Sequence, residues 1–399
     1  MQKKSLFILA FLAMGVTVWA QVQVQTITNQ FDGSGGLNIG QDGLLYIANF
    51  GKSLDNADGT QVWTLDYKNG GQPQLFASGL SGASGNDFDS QGNLFQSNIR
   101  TGTVSKITSG GTVSFFASNG ISCNVGINID SDDNLYVCNC CAAYGNTIRK
   151  VTASGVSTLF ASSIMLNCPN GITRDNNGNL YVSNFGDGRV LKITPTGAVS
   201  TLATIPGGSN GHIIYSSVQD VLYVASHGSH KIYKLTLDGT RFDLAGSGIR
   251  GNDDGLAAVA TFSRPNGLAL SVTQDTLFVN SSIPVTDVGG RPLNPSVIRM
   301  ITGLNSINAT NELTDIGINM EVHFDKTTAV LSLYFNEGLP DIATLLVSNN
   351  MGQIIDQSSQ RINKGQNEMR LSNALPNGIY FVLIRTKEGR SLSGKFLVD

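Results

Sequence analysis

Gly171-ITRDNNGNLYVSN-Phe185 sets the pattern from which the architecture follows. A glycine and an apolar residue lead into a polar turn, which opens into a Leu-aromatic-Val run. The same order returns in Gly36-LNIGQDGLLYIAN-Phe50, Gly85-NDFDSQGNLFQSN-Ile99, Gly126-INIDSDDNLYVCN-Cys140, Gly211-HIIYSSVQDVLYVAS-His227 and Gly267-LALSVTQDTLFVNS-Ser282. The aromatic anchors Tyr46, Phe95, Tyr136, Tyr181, Tyr223 and Phe278 are separated by 49, 41, 45, 42 and 55 residues, the period of a propeller blade.

Each unit continues with two more runs of strand character, such as Val190-LKI-Thr194 and Val199-STLA-Thr204 in the fourth. They are rich in β-branched and aromatic residues and are separated by Gly, Asn and Asp turns. The sixth unit has no fourth run after Thr302, whereas Val22-QVQTIT-Asn29 has that character and no partner. The expectation is that it completes the sixth blade, closes the ring and protects its edges. The fold class predicted is all-β: a six-bladed β-propeller over residues 21–303, a polar linker over 304–318 and a small Ig-like β-sandwich over 319–399. The break is compositional as well. All five glutamates, Glu312, Glu321, Glu337, Glu368 and Glu388, lie beyond residue 303. Seven short alternating runs follow the linker.

Two stretches carry a resemblance. Leu244-AGSG…Asp254-Gly255…Ala260-TFSRPNGL-Ala269 and Pro169-NGITRDNNGNLYVSN-Phe185 resemble the linker between NHL repeats, in the manner of gluconolactonase-like propellers. Val347-SNNMGQII-Asp356, Leu375-PNGIYFVLI-Arg385 and Lys395-FLVD resemble the C-terminal sorting domain of the type IX secretion system. The first resemblance implies fold and leaves chemistry open, since such propellers include binders, lactonases and lyases. The second implies the type IX machinery as a partner and passage across the outer membrane.

The leading segment fits export. Lys3 and Lys4 precede an apolar stretch, and Val18-Trp19-Ala20 offers a cleavage site, so residues 1–20 read as a signal peptide. Its removal takes the net charge from −3 to −5 and leaves no transmembrane anchor in the mature chain. The localisation predicted is secreted or outer cell surface, by way of the periplasm. With 26 Lys+Arg against 29 Asp+Glu and no basic cluster, nucleic acid is not a partner.

In a propeller, the connections into the inner strands and the loops after the second strands open on one face, here called the upper face. Asn86, Asn124, Asn170, Asn210, His212 and Asn266 are the ligand-binding candidates placed by this rule at the mouth of the central channel. The family resemblance implies a divalent cation such as calcium there, with Asn170, Asn266 and Asp87 as metal candidates and Asp32 as a further carboxylate. The Glu used by those enzymes is missing from the whole propeller. His212 is the candidate acid–base group. His212, His227 and His230 all belong to blade five, a clustering that fits a surface loop better than zinc ligation from several blades. The runs Asp130-SDDN-Leu135 and Asp175-NNGN-Leu180 mimic a calcium loop but recur where hairpin turns belong.

Cys123, Cys138, Cys140, Cys141 and Cys168 converge on one sector of the upper face. In an oxidising compartment the expectation is one or two disulfides among Cys123, Cys140, Cys141 and Cys168, with Cys138 the odd thiol and the pairing open. A thiolate metal site is the alternative. The predicted function is therefore binding of a ligand or protein partner on the upper face. The alternative is a divalent-metal-dependent, lactonase-like hydrolase using channel-mouth Asn and Asp.

Overall fold

A computed structural model describes residues 22–141, 146–283, 291–304, 318, 320–339, 342–349, 354–372, 375–387 and 391–398. The segment read as a signal peptide and most of the linker lie outside them. The chain divides into two units, one holding Val22–Asn305 and the other Ser306–Asp399.

The first unit is a ring of six antiparallel sheets. Blade four is representative, with strands Pro169–Arg174, Leu180–Asn184, Arg189–Ile193 and Val199–Thr204 in simple meander order. Blades one, two, three and five repeat it, beginning at Leu37–Ile39, Ala83–Phe88, Asn124–Ile129 and Asn210–Ser216. Blade six runs Leu268–Leu270, Thr276–Ser282 and Ser296–Thr302, and takes its fourth strand, Gln23–Phe31, from the start of the propeller. The latch read from Val22–Asn29 is therefore present. A fifth strand, Gly255–Leu256, pairs with Gln23 and Val24 and was not expected. It belongs to the long connection from blade five to blade six.

The hydrophobic core is divided among the interfaces between blades. Leu37, Leu45 and Ile47 of blade one pack with Phe278 and Ile298 of blade six. Tyr46 and Val62 pack with Leu94 and Ile107 of blade two, and Phe95 and Val104 with Leu135 and Val151 of blade three. Tyr136 packs with Leu180, Tyr181 with Leu222, and Tyr223 with Leu277, which takes the circuit to blade six. Strand alternation sends successive side chains to opposite neighbours, so each blade contributes to two clusters. Burial of each such side chain contributes roughly 1.5–3 kcal/mol.

The repeated Asp-x-x-x-Asn-Leu-aromatic pattern is a single turn device. Asp175 Oδ1 accepts from the backbone N–H of Asn177 and Asn179, at 2.9 and 2.8 Å, while its Oδ2 accepts from Asn179 Nδ2 and Tyr181 OH. Asp130 repeats this with Asp132, Asn134 and Tyr136. Burial raises the Asp175 pKa, but these donors outweigh it and hold the carboxyl below its ordinary range. The oxygens of the calcium-like runs are thus filled by N–H and O–H donors, as in Asx turns.

The second unit contains seven strands among its described residues, as the alternating runs predict. Met320–Asp325, Val330–Phe335 and Gly365–Arg370 form one sheet. Ile342–Asn349, Ile354–Arg361, Gly378–Arg385 and Ser391–Val398 form the other. Leu331, Leu333, Leu345, Val347, Val382 and Ile384 share one core, giving a β-sandwich. Among the described residues no helix is long and apolar enough to cross a membrane.

Candidate functional site

At the axis of the ring the inner strands meet backbone to backbone. A Cβ on Gly36 would lie 2.9 Å from Gly85 Cα of the next blade, one on Gly85 2.8 Å from Gly126 Cα, and one on Gly171 2.6 Å from His212 Cα. The glycine opening each repeat is therefore required by close approach rather than by turn geometry.

His212 breaks this row. Ile213 pairs with Val224 as Ile172 pairs with Val182 in blade four, so His212 stands at the level of Gly171. Its Cε1 comes within 3.2 Å of the Cβ position that Gly36 of blade one lacks. Blade one is not adjacent to blade five, so the imidazole reaches across the channel. The residue is 9 % exposed, its Nε2 has no hydrogen-bond partner, and burial lowers its pKa to about 4. At neutral pH an uncharged imidazole thus stands in the channel.

The predicted asparagines separate into distinct positions. Asn170 and Asn266, each in Pro-Asn-Gly, reach forward: Asn170 Nδ2 donates to Asn210 O of blade five and Asn266 Nδ2 to Ser34 O of blade one, both at 2.9 Å. Asn124 and Asn210 lie one residue earlier in the alternation and reach back, to Thr103 O at 2.9 Å and Arg189 O at 3.4 Å of the preceding blade. Adjacent strand positions face opposite neighbours, so the four carboxamides divide between the two directions. Asn86 falls after its glycine rather than before it. It is buried inside the strand pair, with its Nδ2 bonded to Gln96 Oε1 at 3.2 Å. The Oδ1 atoms of Asn86, Asn124 and Asn210 are buried without a partner.

Asp87 lies deeper. Its Oδ1 accepts from Asn38 Nδ2 and Phe88 N, and its Oδ2 from Ile129 N and Asn128 Nδ2, at 2.8–3.2 Å. One carboxylate therefore joins the inner strands of blades one, two and three. Burial raises its pKa to about 6 despite these bonds. Asp32 is exposed at the approach to blade one. Among the described residues no three His, Cys, Asp or Glu side chains group as a metal site. Asp87 has both oxygens engaged by N–H donors, while the open oxygens are the carboxamide Oδ1 atoms of Asn86, Asn124 and Asn210.

The cysteines pair as Cys123–Cys141 and Cys140–Cys168, while Cys138 is a buried free thiol raised by that burial. Cys123 and Cys168 hold φ of 42° and 48°, where blade two has Gly82 at 66°. Across the ring, the loop after the second strand of blade one binds its counterpart in blade six. Leu54 N donates to Arg291 O at 3.1 Å and Leu293 N to Lys52 O at 2.9 Å. The upper face thus has a covalently tied sector over blades three and four and a hydrogen-bonded one over blades six and one.

The three histidines do not form one cluster. His227 and His230 lie in the turn after the second strand of blade five, and His230 Nδ1 accepts from Arg264 N at 3.2 Å. His227 departs from the surface-loop expectation, being only 7 % exposed. The sequence reading also missed Asn280, whose Nδ2 donates to Gly33 O and Gly35 O at 2.7 Å while its Oδ1 accepts from Gly267 N, fastening blade six to blade one. It missed Arg299, the largest fully buried side chain. For Asn280 the signal was an amide where the other blades carry Ala, Ser or Cys; Arg299 had none, since its register position holds Trp63, Ser105, Arg149, Leu191 and Tyr233 elsewhere.

Residues 166–193 match the NHL repeat and residues 327–399 match the secretion system C-terminal sorting domain. With the geometry above, the chain is a six-bladed β-propeller that carries an NHL repeat match in blade four, followed by a tail that matches the sorting domain. A gluconolactonase from Xanthomonas campestris shares the fold at a TM-score of 0.54 and 13 % identity, over 70 % of this chain and 89 % of that one. A protein of unknown function from Bacteroides thetaiotaomicron gives 0.55 and 14 %, over 70 % and 76 %. A luciferin-regenerating enzyme gives 0.53 and 13 %, over 71 % and 96 %. At these identities the likeness is one of fold. No curated protein matches the chain by sequence. The sorting tail points to secretion or the outer surface.

Proposed function

We propose that this protein reaches the periplasm by its signal peptide, crosses the outer membrane through its tail, and acts outside as a binding module. Its ligand seats at the channel mouth on the upper face, over His212 and between Asn170 and Asn266. The observation that carries this reading is the buried His212 Nε2, an unpartnered polar atom at the axis of the ring. Buried polar atoms are nearly always paired, so one left open at the axis invites a partner from outside the chain. Binding is favoured over metal-dependent hydrolysis because Asp87, the carboxylate nearest the role that Glu plays in lactonases, has both oxygens occupied by N–H donors.

The test is an array of glycans, peptides and lactones against the full mature chain, repeated with His212→Ala, Asn170→Ala and Asn266→Ala. Binding without turnover, lost in His212→Ala, is the expected result. Calcium-dependent hydrolysis of a lactone, lost in Asn170→Ala, would overturn it in favour of the lactonase-like reading.

A further inference from the structure

The turn between the second and third strands of blade five holds its shape by local bonds. His230 N donates to Ser226 O at 3.1 Å, Ser229 N to Ser226 Oγ at 3.3 Å and Gly228 N to Ser209 O at 3.1 Å. His230 itself sits at φ 58°. This turn fixes His227 with its ring 5.6 Å from that of Phe185 in blade four. Both imidazole nitrogens of His227, and the hydroxyl of Ser229, are buried without a hydrogen-bond partner. Leaving a buried donor or acceptor open costs about 1–3 kcal/mol, so such an arrangement persists where something else fills it.

The surroundings are cationic. Arg264 binds the same turn through its backbone N–H to His230 Nδ1, and its guanidinium donates to Pro292 O at 3.2 Å. Arg250 Nε donates to the neighbouring Ser263 Oγ at 3.0 Å. Arg291, exposed beside Pro292, pairs with Asp55 at 2.7 Å. Beyond burial, the groups that lower the His227 pKa are Arg264, His230, Arg291 and Arg250. The arginines are already engaged and supply positive potential. The open hydrogen-bonding atoms belong to His227 and Ser229. A neutral imidazole N–H in such a field suits an oxyanion, because the anion gains a donor and a favourable potential without displacing an existing bond.

We propose that the upper face over blades four to six contains an oxyanion site, in which His227 and Ser229 hydrogen-bond a carboxylate or phosphate group within the field of Arg250, Arg264 and Arg291. The site is distinct from the His212 channel. Loss of ligand binding in the His212 or Asn170 variants leaves it intact, so the two readings fail separately.

The experiment follows the imidazole nitrogens of the full mature chain by proton–nitrogen correlation NMR, assigning His227 by its disappearance in His227→Asn. Inorganic phosphate and acetate are the probes, with chloride at matched ionic strength as control. A saturable shift of the His227 signals is expected at millimolar phosphate or acetate, with affinity falling roughly tenfold or more in His227→Asn. Arg291→Gln, at an exposed position, should weaken it severalfold with the melting temperature unchanged. If His227→Asn does not fold, Arg291→Gln carries the test. His227 signals unmoved up to about 50 mM of either probe, or binding equal in wild type and Arg291→Gln, would overturn the proposal.

Discussion

Blades three and four are held together covalently, whereas blade six is closed by the leading strand and by an ion pair between the buried Arg299 and the half-exposed Asp254. The first sector carries Cys123–Cys141 and Cys140–Cys168, with sequence separations of 18 and 28. In the second, Arg299 is fully buried, stacks 4.7 Å from the Phe262 ring centroid and pairs with Asp254 at 2.7 Å. Its guanidinium also binds Thr261 O and Asp253 O. Asp254 in turn takes Thr26 N and Thr26 Oγ1 of the latch at 2.9 and 3.0 Å. Chain connectivity already keeps blades three and four adjacent, so their disulfides stiffen the upper face. Ring closure joins the two ends of the propeller, with nothing covalent to hold it. The comparison teaches that the closing blade concentrates the non-covalent specificity, and that the covalent bonds lie where they shape loops.

Arg299→Ala tests the closing blade most severely. It leaves Thr261 O and Asp253 O without their donor, at about 1–3 kcal/mol for each, while the half-exposed Asp254 is taken up by water. Urea unfolding should show this loss, together with proteolytic release of residues 22–31. A cost near that of a surface pair would mean that the latch holds without Arg299.

Acid comes next, through three buried groups. His212 and His227 are lowered to about 4 and about 3, burial being the main cause. The unfolded chain binds these protons near pH 6.5, so stability falls as pH drops below that value. Asp87, raised to about 6, works in the opposite direction: the folded protein protonates it first, so its contribution improves from pH 6 towards 4. Two imidazoles outweigh one carboxylate, and the net loss from pH 7 to 4.5 should be roughly 3 kcal/mol. Denaturant midpoints across that range should flatten in the double variant His212→Gln/His227→Gln and steepen in Asp87→Asn.

The smallest effect belongs to the covalent sector. Replacing Cys123 and Cys141 by Ser removes a short loop closure worth about 3 kcal/mol at most. Part of this should return in Cys123→Gly/Cys141→Ser, because glycine adopts the left-handed φ that Cys123 holds. Equal melting temperatures for the two variants would show that residue 123 leaves the left-handed conformation once the disulfide is gone.

Much of the fold was legible because propeller physics is periodic. The glycine that opens each unit and the Asp-Asn-Leu-Tyr turn recur at blade spacing, and the unpartnered Val22–Asn29 run announced its role by having nowhere else to pair. The candidate site was less legible. Asn124 and Asn170 look alike in the sequence, yet they occupy alternate strand positions and reach towards opposite neighbours. His212 and His227 both belong to blade five, but one fills the channel and the other is buried near the Phe185 ring.

The sequence by itself determined the all-β class, the number of blades, the closing strand, the seven-stranded tail and the four cysteines available for pairing. Each of these depends on local patterning, which a linear chain records directly. Only the tertiary structure decided the disulfide partners, the Arg299–Asp254 hub, the filling of Asp87 and the burial of His227. Those depend on which segments from different blades meet across an interface, and a one-residue shift in register turns a side chain to the other face.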